Sequence, residues 1–435
     1  MEYDVIVCGG GTAGATAAIK ACRLGAKTLV VEQMNGLGGT QSMGWVTPMM
    51  PNYLGDEQLV GGVNRDIQLE HAGLSPETNF PNAQVWYNPV ILALALDRLA
   101  DEAGVERLYG SFLVRAFMMN ESITGIDVTA KGSPGLLRLT AKVFIDATGD
   151  ADLAFLAGAP TDSGDETGTN QPMTLRFAVG NVDIGKVGSF FGDDARPNMP
   201  DFLSVGFADA KASVIGEAVK DAIETGMLAQ DDIGYFQFFT MLGRPRELAF
   251  NCPRITGFDP LDAFSLSKAM SVGREKIFRI HAFCKAYLPG LEDSYVSVVA
   301  PLMGIRESRR IVGRYVLTEE DHQSCRKFPD AIARNRYPID IHLASGGVDL
   351  KKLPPDDYHE IPYRCLLPVG VSNLLVAGRC LSATFAAQSS VRIQPVCRAM
   401  GEAAGAAAAL CARDGVAPGD LAYSLLRGQL DFRVG

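Results

Sequence analysis

One glycine-rich turn, lodged between two short apolar runs, constrains this chain more than any other feature. Tyr3–Cys8 is apolar and long enough for one buried parallel strand. The next six residues, Gly9-Gly10-Gly11-Thr12-Ala13-Gly14, fit G-x-G-x-x-G through Gly9, Gly11 and Gly14. Residues 15–24 then carry a helical period, with Ala15, Ala18, Ile19 and Cys22 on one face and Gly25 as the stop. Residues 28–32 read as a second strand that ends on the acid Glu32. Together they form a βαβ unit of about 30 residues with a defined physical logic. Gly9 permits the tight turn, Gly11 lets backbone amides reach a pyrophosphate, and Gly14 lets helix and strand pack closely. The helix N-terminus, with Thr12 and Ala13, offers partial positive charge to the phosphates. Glu32 can accept ribose hydroxyls and would repel a 2′-phosphate, which leaves NAD or FAD.

The residues that follow favour FAD. A second glycine-rich loop, Gly38–Gly44, suits a chain passing tightly over an extended cofactor, with Gly39, Thr40 and Ser42 as contacts. Residues 88–103 predict a helix, and residues 108–119 and 123–129 a strand hairpin in which Val114 is a further candidate cofactor contact. Residues 137–146 lead into Ala147-Thr148-Gly149-Asp150, a buried strand that ends in a small-residue turn.

The ATGD turn resembles the second signature of the glutathione-reductase-type FAD fold. A longer set of blocks resembles an FAD-dependent oxidoreductase family with fumarate-reductase-like relatives. It comprises Ala147–Ala154, Ala157–Pro160, Gln171–Phe177, Gly304–Ile311, Tyr337–His342, Ile361–Pro368, Asn373–Cys380, Ser390–Pro395 and Gly401–Gly405. The likeness covers roughly residues 1–180 and 300–415 and fades between. The chain departs from the family pattern at Phe385 and Gln388-Ser389-Ser390, where the resemblance implies a histidine and a glycine-rich turn. It implies an α/β fold: a Rossmann-like FAD-binding domain, discontinuous over 1–165 and 365–435, with an inserted α+β substrate domain at 166–364. It adds Gly378, Arg379, Val391 and Gln394 as cofactor contacts. A long small-residue helix over 394–411 would aim its N-terminal amides at the flavin's pyrimidine edge. In the insertion, residues 173–179 predict a strand with Met173, Leu175, Phe177 and Val179 on one face. Residues 208–226 and 262–288 predict helices, and 248–252 and 294–300 predict strands. No second strand–GxGxxG–helix unit is present, and Gly346-Gly347 is too short to be one.

Composition narrows the class further. Of 435 residues, 50 are acidic and 40 basic, a net charge of −10, which argues against a general nucleic-acid partner. The nine cysteines form no C-x-x-C pair, so zinc ribbons, thiolate-held clusters and a redox disulfide have no support, and no metal is expected. The scattered thiols, the absence of a secretory leader and the lack of a long apolar run predict a soluble, cytoplasmic protein without membrane contact.

Hydride transfer at flavin N5 needs a proton carrier and cations for any substrate carboxylate. His342, between Ile341 and Leu343, is the proton-transfer candidate, with a buried hydrogen-bonded role as its alternative. Tyr363, Arg364 and Arg392 are the other catalytic or anion-gripping candidates. Arg306, Arg309 and Arg310 cluster with Glu307, which also reads as a helical ion-pair face. Cys380 reads as a packed thiol. The pocket is expected along 173–177, 340–343, 363–364 and 390–394, at the junction with the flavin.

These features predict an FAD-dependent oxidoreductase with non-covalent FAD. It would dehydrogenate a small, anionic substrate or reduce an activated double bond. Electrons would pass to a separate acceptor or to oxygen, and the sequence leaves room for a homo-oligomer. A flavin monooxygenase using NAD(P)H, and an RNA-modifying or FAD-binding scaffold, are the alternatives.

Overall fold

The computed structural model describes residues 2–75, 86–194, 196–199, 202–343 and 347–431; Gly346 lies outside them. The chain opens with β1 (Glu2–Cys8), α1 (Thr12–Arg23) and β2 (Thr28–Val31). It continues through α2 (Val63–Leu74), α3 (Pro89–Ala103), β3 (Glu106–Leu108), β4 (Ser111–Met119), β5 (Ser122–Ala130) and β6 (Leu137–Asp146). These strands form one sheet in the order β3-β2-β1-β6-β5-β4. β1 pairs in parallel with both β2 and β6, as strands joined by crossover helices must. β6 divides its length: Leu137–Leu139 pair antiparallel with β5, while Phe144–Asp146 pair in parallel with a strand from far along the chain, Leu374–Val376.

A second sheet is wholly antiparallel. The segment expected as one strand over 173–179 is two, β7 (Met173–Thr174) and β8 (Phe177–Gly180), in different sheets. Thr174 exchanges backbone hydrogen bonds with Gly304, so the chain changes partner at Leu175-Arg176. Every residue from 171 to 180 is buried, on both faces rather than one. β8 joins β9 (Arg196–Met199), β10 (Phe202–Phe207), β11 (Phe236–Met241), β12 (Arg244–Phe250) and, after β13 (Arg254–Ile255), α4 (Ala263–Tyr287) and β14 (Tyr295–Val299), in the order β9-β10-β11-β12-β8-β14. Phe177, Phe236, Phe238 and Phe250 build its core with Ile277, Ile280 and Phe283 of α4. The helix expected over 208–226 is interrupted: a 3-10 turn at Ala210–Ala212 precedes an α-helix at Gly216–Glu224. The Ser213 hydroxyl takes the Ala210 carbonyl, which turns the chain there.

The last part of the chain returns to the first sheet. β15 (Ile339–His342) and β16 (Val348–Lys351) form a hairpin, and β17 (Leu374–Val376) is the strand on β6. The segment around Gln388, where the chain departs from the family pattern, is a helix, α5 (Phe385–Val391), capped by the Thr384 hydroxyl. α6 (Gln394–Asp414) follows and is buried from Gln394 to Ala412 except at Ala399. Phe328, Ile332, Ala333 and Ile361 join the core that α1 and α6 share. No helix among the described residues is long and apolar enough to cross a membrane.

Candidate active site

The glycine turn is shaped by contacts that only glycine allows. Gly9 has φ +94°, and a Cβ there would lie 2.4 Å from the Ala147 carbonyl oxygen. A Cβ on Gly14 would lie 1.8 Å from the Gly9 carbonyl oxygen. At Gly11 the situation is reversed, since a Cβ would meet nothing within 4 Å. The space in front of Gly11 is therefore open. α1 begins directly behind it at Thr12 with no side-chain cap and no acid in its first turn. Open space before uncapped helical amides fits a pyrophosphate.

The second glycine loop lies against the first. Gly38 donates to the Gly10 carbonyl at 2.9 Å, and a Cβ on Gly39 would lie 2.9 Å from Gly11 Cα. The Thr40 carbonyl accepts from Val46 at 3.1 Å, and the Ser42 hydroxyl donates to the Leu37 carbonyl. Glu32 is buried; its two oxygens accept from the Gly10 and Met34 amides at 2.6 and 2.7 Å. Burial pushes its carboxyl above the usual range, while those amides pull it back. Each oxygen keeps a lone pair for a ribose hydroxyl.

The ATGD turn is held from behind by Asp146. Its carboxylate accepts from the Thr148 amide and hydroxyl and from the Ala154 amide. Asp150 pairs with Arg379 at 2.8 Å, and both hold the Ser308 hydroxyl. Arg379 also lies where a Cβ on Gly149 would point. Gly378 has φ +95° and backs onto Ala13. Val391 is buried, and the Gln394 side chain is spent on the Val46 and Pro48 carbonyls, Tyr87 and Gln41. Any cofactor contact from Gln394 falls to the α6 N-terminus, which has no side-chain cap. Val114 is 39% exposed on β4. Cys380 is buried, its thiol directed to the Ala377 carbonyl.

A second group of side chains gathers where β7, β13, β15 and α5 meet. Arg306 donates to the Pro172 carbonyl and the Thr174 hydroxyl at 2.6 and 2.7 Å. Arg254 donates to the Gly347 carbonyl, lies 4.1 Å over the Tyr235 ring and meets His342 Nδ1. Arg392 donates to the Ser389 and Asp340 carbonyls. Arg176 is buried, and its charge is felt by Tyr87, Tyr235 and Arg306. The acid of the group is Asp340, 3.4 Å from His342 Nε2 and 4.0 Å from Arg392. Burial and the charges of its neighbours hold Arg306 well below the guanidinium range, and burial brings Arg176 down to about 10. Burial alone would raise Asp340, but the His342 hydrogen bond and the cations around it hold it ionised.

His342 therefore follows the alternative reading, a buried hydrogen-bonded histidine, and not the proton-transfer one. Its Nδ1 accepts from Arg254 and its Nε2 lies 3.4 Å from Asp340, so both ring nitrogens face protein partners. Burial, then the charge of Arg306, lowers it to about 2, so the ring is neutral. Arg364 and Tyr363 are not brought to this group. Arg364 forms a two-pronged pair with Asp330 and lies over Tyr315, and the Tyr363 hydroxyl donates to the Pro418 carbonyl. Glu307 and Arg310 do pair, but in an extended, buried segment rather than on a helical face. Of the expected pocket stretches, 173–177, 340–343 and 390–394 converge, and 363–364 do not. Sequence reasoning missed Arg254, Arg176 as a cation, and Tyr235. No spacing marks Arg254; only the strand pairing of β13 with β7 carries it in.

A family model described as FAD dependent oxidoreductase matches residues 4–430. Thiamine thiazole synthase of Aeropyrum pernix is 30% identical over 161 residues, which is 34% of this chain and 55% of that protein. Dihydrolipoyl dehydrogenase of Bacillus subtilis is 62% identical over 39 residues, 9% of this chain and 8% of that one. The matches thus span about half of the first relative and a small part of the second. Among solved structures, p-nitrophenol 4-monooxygenase from Pseudomonas putida superposes with a TM-score of 0.51 at 11% identity, over 99% of this chain and 84% of that one.

Proposed function

The chain belongs to the FAD dependent oxidoreductase family, and from that premise we propose that it exchanges hydride with a small organic substrate anchored through a carboxylate or similar anion. The single observation that carries this reading is the group of Arg254, Arg306 and Arg392 around one acid, Asp340, with buried Arg176 beside Arg306. Bound FAD supplies a two-electron acceptor or donor. The Gly11 cradle and the α1 N-terminus would hold its phosphates, and Glu32 its ribose. The guanidinium groups grip an anionic group and fix which substrate carbon faces the flavin. Asp340 braces Arg392, and neutral His342 braces Arg254, so the cations are preorganised before the substrate arrives.

The test is anaerobic mixing of FAD-loaded protein with small organic acids and with their neutral amides, while the visible flavin absorbance is followed. The reading expects bleaching by an acid, or re-oxidation of the reduced protein by an unsaturated acid, and neither by the amide. Reduction only by NAD(P)H, with oxygen incorporated into the product, would replace it with a monooxygenase.

A further inference from the structure

This inference rests on the reading above and extends it to the charge of the substrate. Four guanidinium groups, those of Arg176, Arg254, Arg306 and Arg392, face a single carboxylate, Asp340, and His342 brings no charge because it is held neutral. The nearby acids are already committed: Glu307 to Arg310 and Asp150 to Arg379. Arg306 spends its Nη1 on neutral acceptors, Pro172 and Thr174. Arg176 is buried, whereas Arg254, Arg306 and Arg392 are half-buried, so part of the group reaches solvent. A second observation points the same way. Three donors, Gln171 Nε2, Arg176 Nη1 and Arg254 Nε, are buried without a hydrogen-bond partner, against two acceptors in the same state, Gln388 Oε1 beside Arg306 and Asn251 Oδ1. An excess of donors and of positive charge calls for oxygen acceptors carrying negative charge. A single carboxylate would still leave the guanidinium groups outnumbering the acids.

We propose that the site takes a small molecule carrying at least two negative charges on oxyanion groups. Two carboxylates and one phosphate ester share this chemistry. In a dicarboxylate one oxyanion would lie toward Arg392 and the other toward Arg254 and Arg306, since Asp340 and His342 separate the two sides, whereas a phosphate ester would place both charges on the Arg254 and Arg306 side.

The experiment titrates FAD-loaded full-length protein with acetate, malonate, succinate, inorganic phosphate and glycerol phosphate at constant ionic strength. Perturbation of the flavin absorbance reports binding. Malonate or succinate, or the phosphates, should bind at least about tenfold more tightly than acetate. Which pair leads tells the dicarboxylate source from the phosphate source. In Arg254→Gln and Arg306→Gln protein with normal flavin content, the advantage should shrink to about threefold or less. Arg392→Gln is the third variant should either of these fail to fold. Acetate binding as tightly as the doubly charged anions overturns the inference and leaves an anion site standing. An advantage undiminished in the variants, or FAD lost from all of them, also overturns it. No binding of any anion to wild-type protein overturns both this inference and the reading beneath it.

Discussion

Gly401 and Ala13 touch through their backbones: a Cβ on Gly401 would lie 2.1 Å from the Ala13 carbonyl oxygen. One turn on, Gly405 stands in the same relation to Ala17, also at 2.1 Å. Two glycines four residues apart thus let α6 lie directly on α1, the helix whose N-terminus faces the Gly11 cradle. Replacing Gly401 by Ala should cost about 1–3 kcal/mol by overpacking and lower flavin affinity with it. Gly73 is the control. It lies in α2, where a Cβ would meet nothing, so Gly73→Ala should be neutral or stabilise by up to about 1 kcal/mol. Urea unfolding of both variants checks the pair, and equal stability for the two would refute the close contact.

This contact shows how much of the protein was legible in the sequence. The βαβ unit was readable because each of its parts depends on neighbours in the chain: glycine at fixed offsets, a helical period, an acid at a strand end. The long small-residue helix over 394–411 was readable for the same reason. Arg254 was not, because its place depends on the pairing of β13 with β7, a long-range contact that leaves no local trace. His342 was found with two readings open, and the choice between them was not legible, since it depends on Arg254 and Asp340 lying at its two ring nitrogens. The 173–179 strand failed where Gly304 captured Thr174, again a partner from a distance.

The Glu307–Arg310 pair yields a stability prediction. Both side chains are buried, and Glu307 also accepts from Gly164 and Asn170. Glu307→Gln leaves Arg310 with only the exposed Asp162 as counter-charge, at 3.4 Å. The loss should be about 3–5 kcal/mol. The double variant Glu307→Gln, Arg310→Met should recover part of it. A single variant within about 1 kcal/mol of wild type in chemical unfolding would contradict the account.

His342 should position and not carry protons. His342→Gln should raise KM for the substrate more than it lowers kcat, by loosening Arg254. The pH profile of flavin reduction should keep the same apparent pKa values in this variant. Loss of a near-neutral ionisation together with loss of kcat would assign the proton to His342 after all.

Acid should destabilise the fold through its neutral histidines. Burial, with the nearby His322, holds His359 down to about 3, and burial holds His342 down to about 2. Unfolded histidines titrate near 6.5, so below that pH the unfolded chain binds protons that the folded chain does not. Stability contributed by these groups is full above about pH 6.5 and is lost as pH falls toward 3, at up to about 1.4 kcal/mol per pH unit for each histidine. Unfolding free energies between pH 7.5 and 5 should fall, and His359→Asn should fall less steeply. Parallel slopes would contradict the assignment.

The most direct test is flavin content and thermal stability measured together on Gly11→Val protein freed of flavin and then offered FAD. Gly11 has φ −67° and open space where its side chain would point, so valine should not disturb the folded apoprotein. That side chain would fill the cradle before the α1 amides. The account predicts an apoprotein melting point within about 2 °C of wild type, roughly 0.5 kcal/mol or less, and flavin occupancy below about a tenth of it. Gly11→Val protein that takes up FAD as fully as wild type would contradict the placement of the cofactor on which the account rests.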